Sequence, residues 1–194
     1  MSSKTSILNR IRENKPSFDG TIDLSSFLVD EREDTLERFC SSLAANSGKY
    51  VLASDEHNLN EVLLEEVAGK SYVDIAGVLE VYQEGNVLDA DAKNYKDTKV
   101  VIFKAQVGVA ENGAVWVDDQ IIQGLRILPF IVEHTIVILK QTSIVPTMHH
   151  AYQKIGNTET GFGTFLAGPS KTGDIEQNLV IGAHGALSHL VVLV

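Results

Sequence analysis

Apolar and polar positions along the first half of the chain follow helical and strand-like periods in turn. A helical pattern runs from about residue 30 to Gly48, and a strand-like apolar stretch follows at residues 50–53. A second helical pattern covers residues 55–68, and another apolar stretch covers residues 72–75. Strands that alternate with helices in this way predict a mostly parallel sheet flanked by helices, which is an α/β fold.

The next part of the chain is richer in strand-like segments. A long β-rich run at residues 99–109 precedes a shorter one at 114–117, and the Asn112-Gly113 pair between them is a strong hairpin turn signal. A buried strand is predicted at residues 135–140, and a short helix at residues 146–154.

The last quarter of the sequence combines apolar segments with a polar turn. An apolar run at residues 162–167 predicts a strand, and Gly168 ends it. Ser170 or Thr172 can then cap a helix, with Asp174 in its first turn, where the helix dipole favours acidic side chains. Three apolar residues at four-residue spacing give this helix a buried side: Ile175, Leu179 and Ala183. Because ligands gather at the carboxyl ends of strands in open α/β sheets, the turn is a candidate site.

Composition narrows the class of protein. The length of 194 residues predicts one main domain, residues 31–194, preceded by a helical and loop extension at residues 1–30. The net charge of −10 disfavours nucleic acid as a partner, because phosphate binding needs a basic surface. Without an apolar leader or a run of membrane-spanning length, a cytoplasmic protein without membrane insertion is the simplest expectation.

Cysteine and histidine positions limit the cofactors that we expect. Cys40 is the single cysteine, so the chain cannot supply the four thiolates of an iron–sulfur cluster. The six histidines have no metal-binding spacing, and we expect no metal site. Neither the Walker nor the dinucleotide motif is complete around Gly168. Ser170, Lys171 and Thr172 could still bind an anion at a helix N-terminus, although simple capping explains their spacing better.

Three segments of the sequence resemble the LUD domain family, to which lactate-utilisation protein C belongs. The longest of them is residues 168–185, with the closing strand after it; the others are residues 107–115 and 139–146. The resemblance implies a fold of the CoA-transferase and sugar-phosphate-isomerase (NagB/RpiA) type. It also implies a role in oxidising L-lactate to pyruvate together with iron–sulfur partner proteins. A homo-oligomer is a further possibility that the sequence does not decide. The segment around Glu111 is similar to the stretch that carries the catalytic glutamate of some CoA transferases.

These observations lead to one main hypothesis and two alternatives. The main hypothesis is a cluster-free accessory subunit in lactate utilisation, with a cleft for a small-molecule anion. Its expected lining lies on two polar turns: Glu111, Asn112 and Gly113 on one, and Gly168, Ser170, Lys171, Thr172 and Asp174 on the other. The first alternative is a stand-alone CoA-transferase-like or ATP-dependent ligase-like enzyme that uses Glu111 as acid, base or nucleophile. The second is an assembly protein without a pocket, with a shallow surface at residues 168–174 and an exposed apolar patch.

Overall fold

A computed structural model describes residues 3–15, 25, 34–79, 91–156, 161–173 and 179–194. Its helices are α1 (Ser3–Glu13), α2 (Thr35–Ala45), α3 (Glu56–Val67), α4 (Leu128–Ile131) and α5 (Met148–Ile155). Its strands are β1 (Lys49–Leu52), β2 (Tyr72–Asp74), β3 (Val100–Ala105), β4 (Val107–Val109), β5 (Ala114–Asp118), β6 (His134–Leu139), β7 (Ile144–Val145), β8 (Gly163–Leu166), β9 (Lys171–Thr172), β10 (Val180–Ile181) and β11 (Ser188–Leu193).

Five parallel strands form the central sheet, in the order β1-β11-β6-β3-β2. Both faces of this sheet are apolar: in β3, Val100 and Ile102 lie on one face and Val101 and Phe103 on the other, and all four are fully buried. Strands with two buried faces are typical of parallel sheets covered on both sides. The predicted α/β class and the mostly parallel sheet are therefore confirmed.

Helix α3 covers one face of the central sheet. Its buried residues Leu59, Leu63 and Val67 recur at helical spacing and pack against side chains of β3, β6 and β11. Asp55 caps the helix by accepting a hydrogen bond from the backbone N–H of Asn58 at 2.9 Å. The connection through α3 brings the chain from β1, at one edge of the sheet, to β2 at the other.

The opposite face is covered by α2 and by a second sheet of four strands, β7-β4-β5-β8. Phe39 and Leu43 of α2 pack with Phe103 and Val137 of the central sheet. Strands β4 and β5 are antiparallel, and Gly113 in the turn between them has φ +66°. The predicted hairpin at Asn112-Gly113 is confirmed.

The predicted β-rich run at residues 99–109 consists of two strands, β3 and β4, which belong to different sheets. Strand β3 belongs to the central sheet, and β4 belongs to the second sheet. Between them, the backbone N–H of Gln106 donates a hydrogen bond to the carbonyl oxygen of Trp116, within the second sheet, at 3.2 Å. Because both segments have strand-like composition, nothing local marks the point where the chain changes sheets.

The predicted helix after Gly168 was also wrong wherever the structure describes that segment. Strand β9 pairs antiparallel with β10, and Leu179, which was expected inside the helix, is 61% exposed. The backbone N–H of Ser170 donates to the carbonyl of Ala186 at 2.8 Å, which ties this segment to the start of β11. Tertiary hydrogen bonds and β-branched side chains in β10 thus outweigh the helical spacing. Ile175 and Asp174 lie outside the described residues.

The N-terminal part of the chain contains the expected short helix. Helix α1 has no buried residue. The predicted domain boundary near residue 30 lies outside the described residues. Among the helices that the structure describes, none has the length and apolar character needed to cross a membrane.

Candidate functional site

The turn that carries Glu111 packs against the C-terminal part of α2. A side chain at Gly113 would place its Cβ 2.4 Å from the backbone nitrogen of Leu43, so only glycine fits there. The hydroxyl of Ser42 donates to the carbonyl oxygen of Ala110 at 2.8 Å. Within the turn, the Oδ1 atom of Asn112 accepts the N–H of Ala114 at 3.0 Å. The contacts of Asn112 and Gly113 are therefore those of residues that shape the turn.

Asn46 joins this turn to the one at residues 168–172. Its Nδ2 donates to the carbonyl oxygen of Asn112 at 2.8 Å, and its Oδ1 accepts from Nζ of Lys171 at 3.4 Å. Its own carbonyl oxygen lies 2.2 Å from where a Cβ on Gly168 would be, and Gly168 has φ +80°. The two polar turns are adjacent, as expected, but a residue that the sequence did not single out holds them together.

Glu111 makes the contacts of a helix cap. Its Oε1 atom accepts the backbone N–H of Met148, the first residue of α5, at 2.8 Å. Its own N–H donates to the carbonyl oxygen of Pro146 at 3.1 Å. A carboxylate at a helix N-terminus satisfies an otherwise unpaired donor and interacts favourably with the helix dipole. Glu111 is exposed and does not line the cleft described next.

A cleft of about 260 Å³ opens beside the turn at Gly168. Apolar groups line most of it, and the polar side chains in its wall are Thr135, Ser170, His184 and His189. A Cβ on Gly185 would lie 3.1 Å from Cβ of Ser170 and 3.3 Å from the carbonyl oxygen of Phe130. The wall is thus close-packed at Gly185, and this side of the cleft has no room for a larger residue without a shift of its neighbours.

His189 is the most buried polar group of this cleft, with 1% of its surface exposed. Its Nδ1 atom lies 2.8 Å from Oγ1 of Thr135, while its Nε2 atom is buried and has no hydrogen-bond partner. Burial lowers the pKa of His189 to about 4, and the nearby charge of Lys171 acts in the same direction. The imidazole is therefore neutral at pH 7, and one of its nitrogens has no partner in the described structure.

The hydroxyl of Thr135 allows either tautomer of this imidazole. When Nδ1 carries the hydrogen, it donates to Thr135, whose own hydrogen can turn towards the carbonyl oxygen of Ser188 at 3.4 Å. When Thr135 donates to Nδ1 instead, Nε2 carries the hydrogen. The free Nε2 can thus accept a hydrogen bond in the first arrangement and donate one in the second.

Two of the eight predicted site residues line this cleft: Gly168 and Ser170. Lys171 lies close enough for its charge to affect His189, and Thr172 pairs with Val180 in the small β9–β10 ladder. Asp174 lies outside the described residues. Thr135 and His189 were missed because each lies within an apolar strand, and their pairing across β6 and β11 has no local signal. Among the described residues, no three histidine, cysteine, aspartate or glutamate side chains are grouped to hold a metal ion.

Comparison with known proteins agrees with this fold. The sequence profile of the LUD domain matches residues 78–194, which is more than half of the chain. The chain belongs to the LUD-domain family. A crystal structure of a DUF162 family protein from Deinococcus radiodurans superposes on this LUD-domain chain with a TM-score of 0.59 and 18% identity, covering 84% of this chain and 98% of that one. That likeness shows the shared fold.

Two curated relatives of this LUD-domain chain carry the name lactate utilization protein C. The protein from Bacillus pumilus is 26% identical over 176 residues, which is 84% of this chain and 71% of the relative. The protein from Oceanobacillus iheyensis is 31% identical over 117 residues, which is 54% of this chain and 50% of the relative. The resemblance to the family that the C-terminal motif indicated is confirmed.

Proposed function

We propose that this LUD-domain protein is a subunit of a lactate-utilisation system and that the cleft at His189 binds L-lactate and pyruvate. The names of its relatives support the pathway. The single observation that supports the site is the unpartnered Nε2 of the neutral, buried His189 in a small cleft.

The size of the cleft suits a small acid. Pockets for drug-sized ligands usually have volumes of about 300–1,000 Å³, and this cleft, at about 260 Å³, is smaller. A three-carbon acid needs a partner for its carboxylate and a partner for its oxygen at the second carbon. Lys171, with Ser170 in the wall, would attract and orient the carboxylate. His189 would then face the hydroxyl or keto oxygen.

The tautomers of His189 fit both members of the lactate and pyruvate pair. A lactate hydroxyl donates a hydrogen bond, so it needs Nε2 as an acceptor and the hydrogen on Nδ1. A pyruvate keto oxygen accepts one, so it needs the hydrogen on Nε2, with Thr135 donating to Nδ1. The hydroxyl of Thr135, 2.8 Å from Nδ1, serves both arrangements without any movement of the ring.

The oxidation itself requires an electron acceptor, which we propose lies outside this chain. Lactate loses two electrons and two protons to become pyruvate, and a chain with one cysteine cannot supply four thiolates to a cluster. The electrons would therefore pass to iron–sulfur proteins that work with this subunit. The contacts of Glu111 are those of a helix cap, so they do not favour the alternative of a stand-alone enzyme that uses this carboxylate.

Growth on different carbon sources tests the pathway. Deletion of the gene should abolish growth on L-lactate and leave growth on pyruvate unchanged, and a plasmid copy should restore it. Equal growth of the deletion strain on both acids would refute the lactate role. Affinity purification should also bring down proteins with the visible absorption of iron–sulfur clusters, and only when the cells use lactate.

Calorimetric titration tests the cleft separately. We expect pyruvate and L-lactate to bind the wild-type protein, and His189→Leu and Lys171→Gln to weaken binding at least about tenfold, since each removes a hydrogen bond or a charge. His57→Gln is the matched control, because that side chain is 84% exposed and lies on α3. Binding that survives both substitutions would place the ligand elsewhere.

A further inference from the structure

The larger of the two described clefts lies at the carboxyl edge of the central sheet and has a volume of about 610 Å³. The ends of β3, β6 and β11 form its floor, and the first turns of α3 form one wall. The chain just after β2, at Gly77 and Val78, forms the opposite wall. This edge is where open parallel sheets gather their ligands, because the strands diverge there into separate connections.

Two lysines on neighbouring strands lie in the floor of this cleft. Lys104 of β3 is in register with Ile138 of β6, and Lys140 follows Ile138 by two residues, so both amines lie on the same face of the sheet. From strand spacing, their backbones are about 8 Å apart. Within the described chain neither amine has a hydrogen bond or an ion pair. Two unpaired ammonium groups on long flexible side chains of neighbouring strands can reach two adjacent phosphate groups.

One wall of the cleft is held in place by a buried carboxylate. Asp74, at the end of β2, is fully buried and accepts the backbone N–H groups of Gly77, Val78 and Leu79 at 3.0, 2.8 and 2.7 Å. These bonds fix the turn that faces α3. Hydrogen bonds thus hold this wall of the cleft in place.

The other wall presents an unused polar atom beside apolar surface. The Oδ1 atom of Asn60 on α3 is buried and has no hydrogen-bond partner in the described structure. Leu59 lines the cleft next to it, and Ile138 lies in the floor. A buried amide oxygen without a partner is rare in proteins, and a ligand that donates an N–H or O–H would satisfy it. The site therefore combines two lysines in its floor, apolar surface and a separate acceptor, while the acidic side chains of Asp55 and Glu56 lie at the start of α3 on its rim.

We propose that this cleft binds a phosphorylated organic anion of about nucleotide size, with its phosphates at Lys104 and Lys140 and a donor group at Asn60. The volume lies within the range of about 300–1,000 Å³ that is usual for such ligands and exceeds that of the cleft at His189. The site is separate from the one assigned to small acids, so either assignment can fail without the other.

Calorimetry with four probes tests the proposal: ADP, coenzyme A, pyrophosphate and inorganic phosphate. We expect ADP or coenzyme A to bind with a Kd below about 1 mM and more tightly than pyrophosphate, and to weaken as salt is raised. The double variant Lys104→Gln/Lys140→Gln should bind at least about tenfold more weakly, since it removes both cations. Lys49→Gln, a lysine of β1 at the amino edge of the same sheet, should bind like the wild type.

Asn60→Leu separates an organic ligand from a bare ion. It should weaken ADP or coenzyme A and leave pyrophosphate unchanged, because the amide contacts only the organic part. Three results overturn the proposal: no probe binds below about 1 mM, the double lysine variant binds like Lys49→Gln, or pyrophosphate binds as tightly as the organic probes. Loss of ADP binding in His189→Leu, with the lysine variants unaffected, would place the ligand in the other cleft and also overturn it.

Discussion

The side chain of Asn46 donates a hydrogen bond to the backbone oxygen of Asn112, and the two atoms are 2.8 Å apart. Through its other amide atom Asn46 also accepts from Lys171, at 3.4 Å. A residue at the end of α2 therefore links the hairpin turn of the second sheet to the lysine beside the small cleft. Stability and ligand binding should both depend on it.

Asn46→Ala tests this link. We expect the free energy of unfolding in urea to fall by about 1–2 kcal/mol, because the substitution removes one short hydrogen bond. We also expect weaker pyruvate binding, because Lys171 loses one of its two described partners. Ser42→Ala is the matched control, since it removes a similar bond to the same hairpin, to Ala110, and does not involve Lys171. Equal pyruvate affinity in the two variants would contradict a positioning role for Asn46.

Substitutions at Glu111 provide a second prediction, because a structural role and a catalytic role of this residue would have different effects on stability and on growth. As a cap of α5, Glu111→Ala should lower the free energy of unfolding by about 1 kcal/mol, and Glu111→Gln should lower it less, because the amide oxygen can still accept from Met148. Urea denaturation measures both. Pyruvate binding should be unchanged in either variant. A Glu111→Gln protein that keeps its stability but fails to restore growth on lactate would instead identify Glu111 as a catalytic group.

The sequence predicted the strands of the central sheet because they are apolar on both faces and separated by capped helices. Asp55 before α3 and the Asn112-Gly113 turn are local signals: Asp55 caps α3, and the hairpin turn is where it was expected. The prediction of a helix after Gly168 was wrong because the hydrogen bonds that determine this segment's structure join residues far apart in the chain. The backbone N–H of Ser170 donates a hydrogen bond to the carbonyl oxygen of Ala186, sixteen positions away, and no rule based on local spacing predicts that bond.

The candidate sites were harder to predict than the sheet for the same reason. Thr135 and His189 are 54 residues apart in the chain and meet only because β6 and β11 are neighbours in register. Lys104 and Lys140 likewise share a cleft through the pairing of β3 with β6. Each residue alone is an ordinary member of an apolar strand or its end. These residues come together through the order of the strands in the sheet, and the periodicity of a sequence does not predict that order.

A third prediction concerns the packing of the hairpin turn. Gly113→Ala should lower the free energy of unfolding by about 2–5 kcal/mol, because φ is +66° and the new Cβ would lie 2.4 Å from the backbone nitrogen of Leu43. Gly69→Ala is the control: its φ is +70°, but no atom lies within 4 Å of the new Cβ. It should lose only about 1–2 kcal/mol, from backbone strain. Urea denaturation of both variants would separate strain from overpacking, and equal losses would mean that Gly113 does not pack as described.

The low pKa of His189 predicts how stability changes with pH. In the unfolded chain this imidazole takes up a proton below its ordinary pKa of 6.5, whereas in the folded protein it stays neutral until pH falls to about 4. The contribution of His189 is therefore complete above pH 6.5, is lost as the pH falls towards 4, and reaches roughly 3 kcal/mol in total.

Urea denaturation from pH 7.5 to pH 4 should show a steeper loss in the wild type than in His189→Gln, which keeps a polar side chain but has no ionisable group. The exposed His57, replaced in the same way, should leave the slope unchanged. Parallel pH profiles for wild type and His189→Gln would mean that the imidazole is solvated or paired in solution, and the assignment of its free Nε2 to lactate and pyruvate would lose its basis.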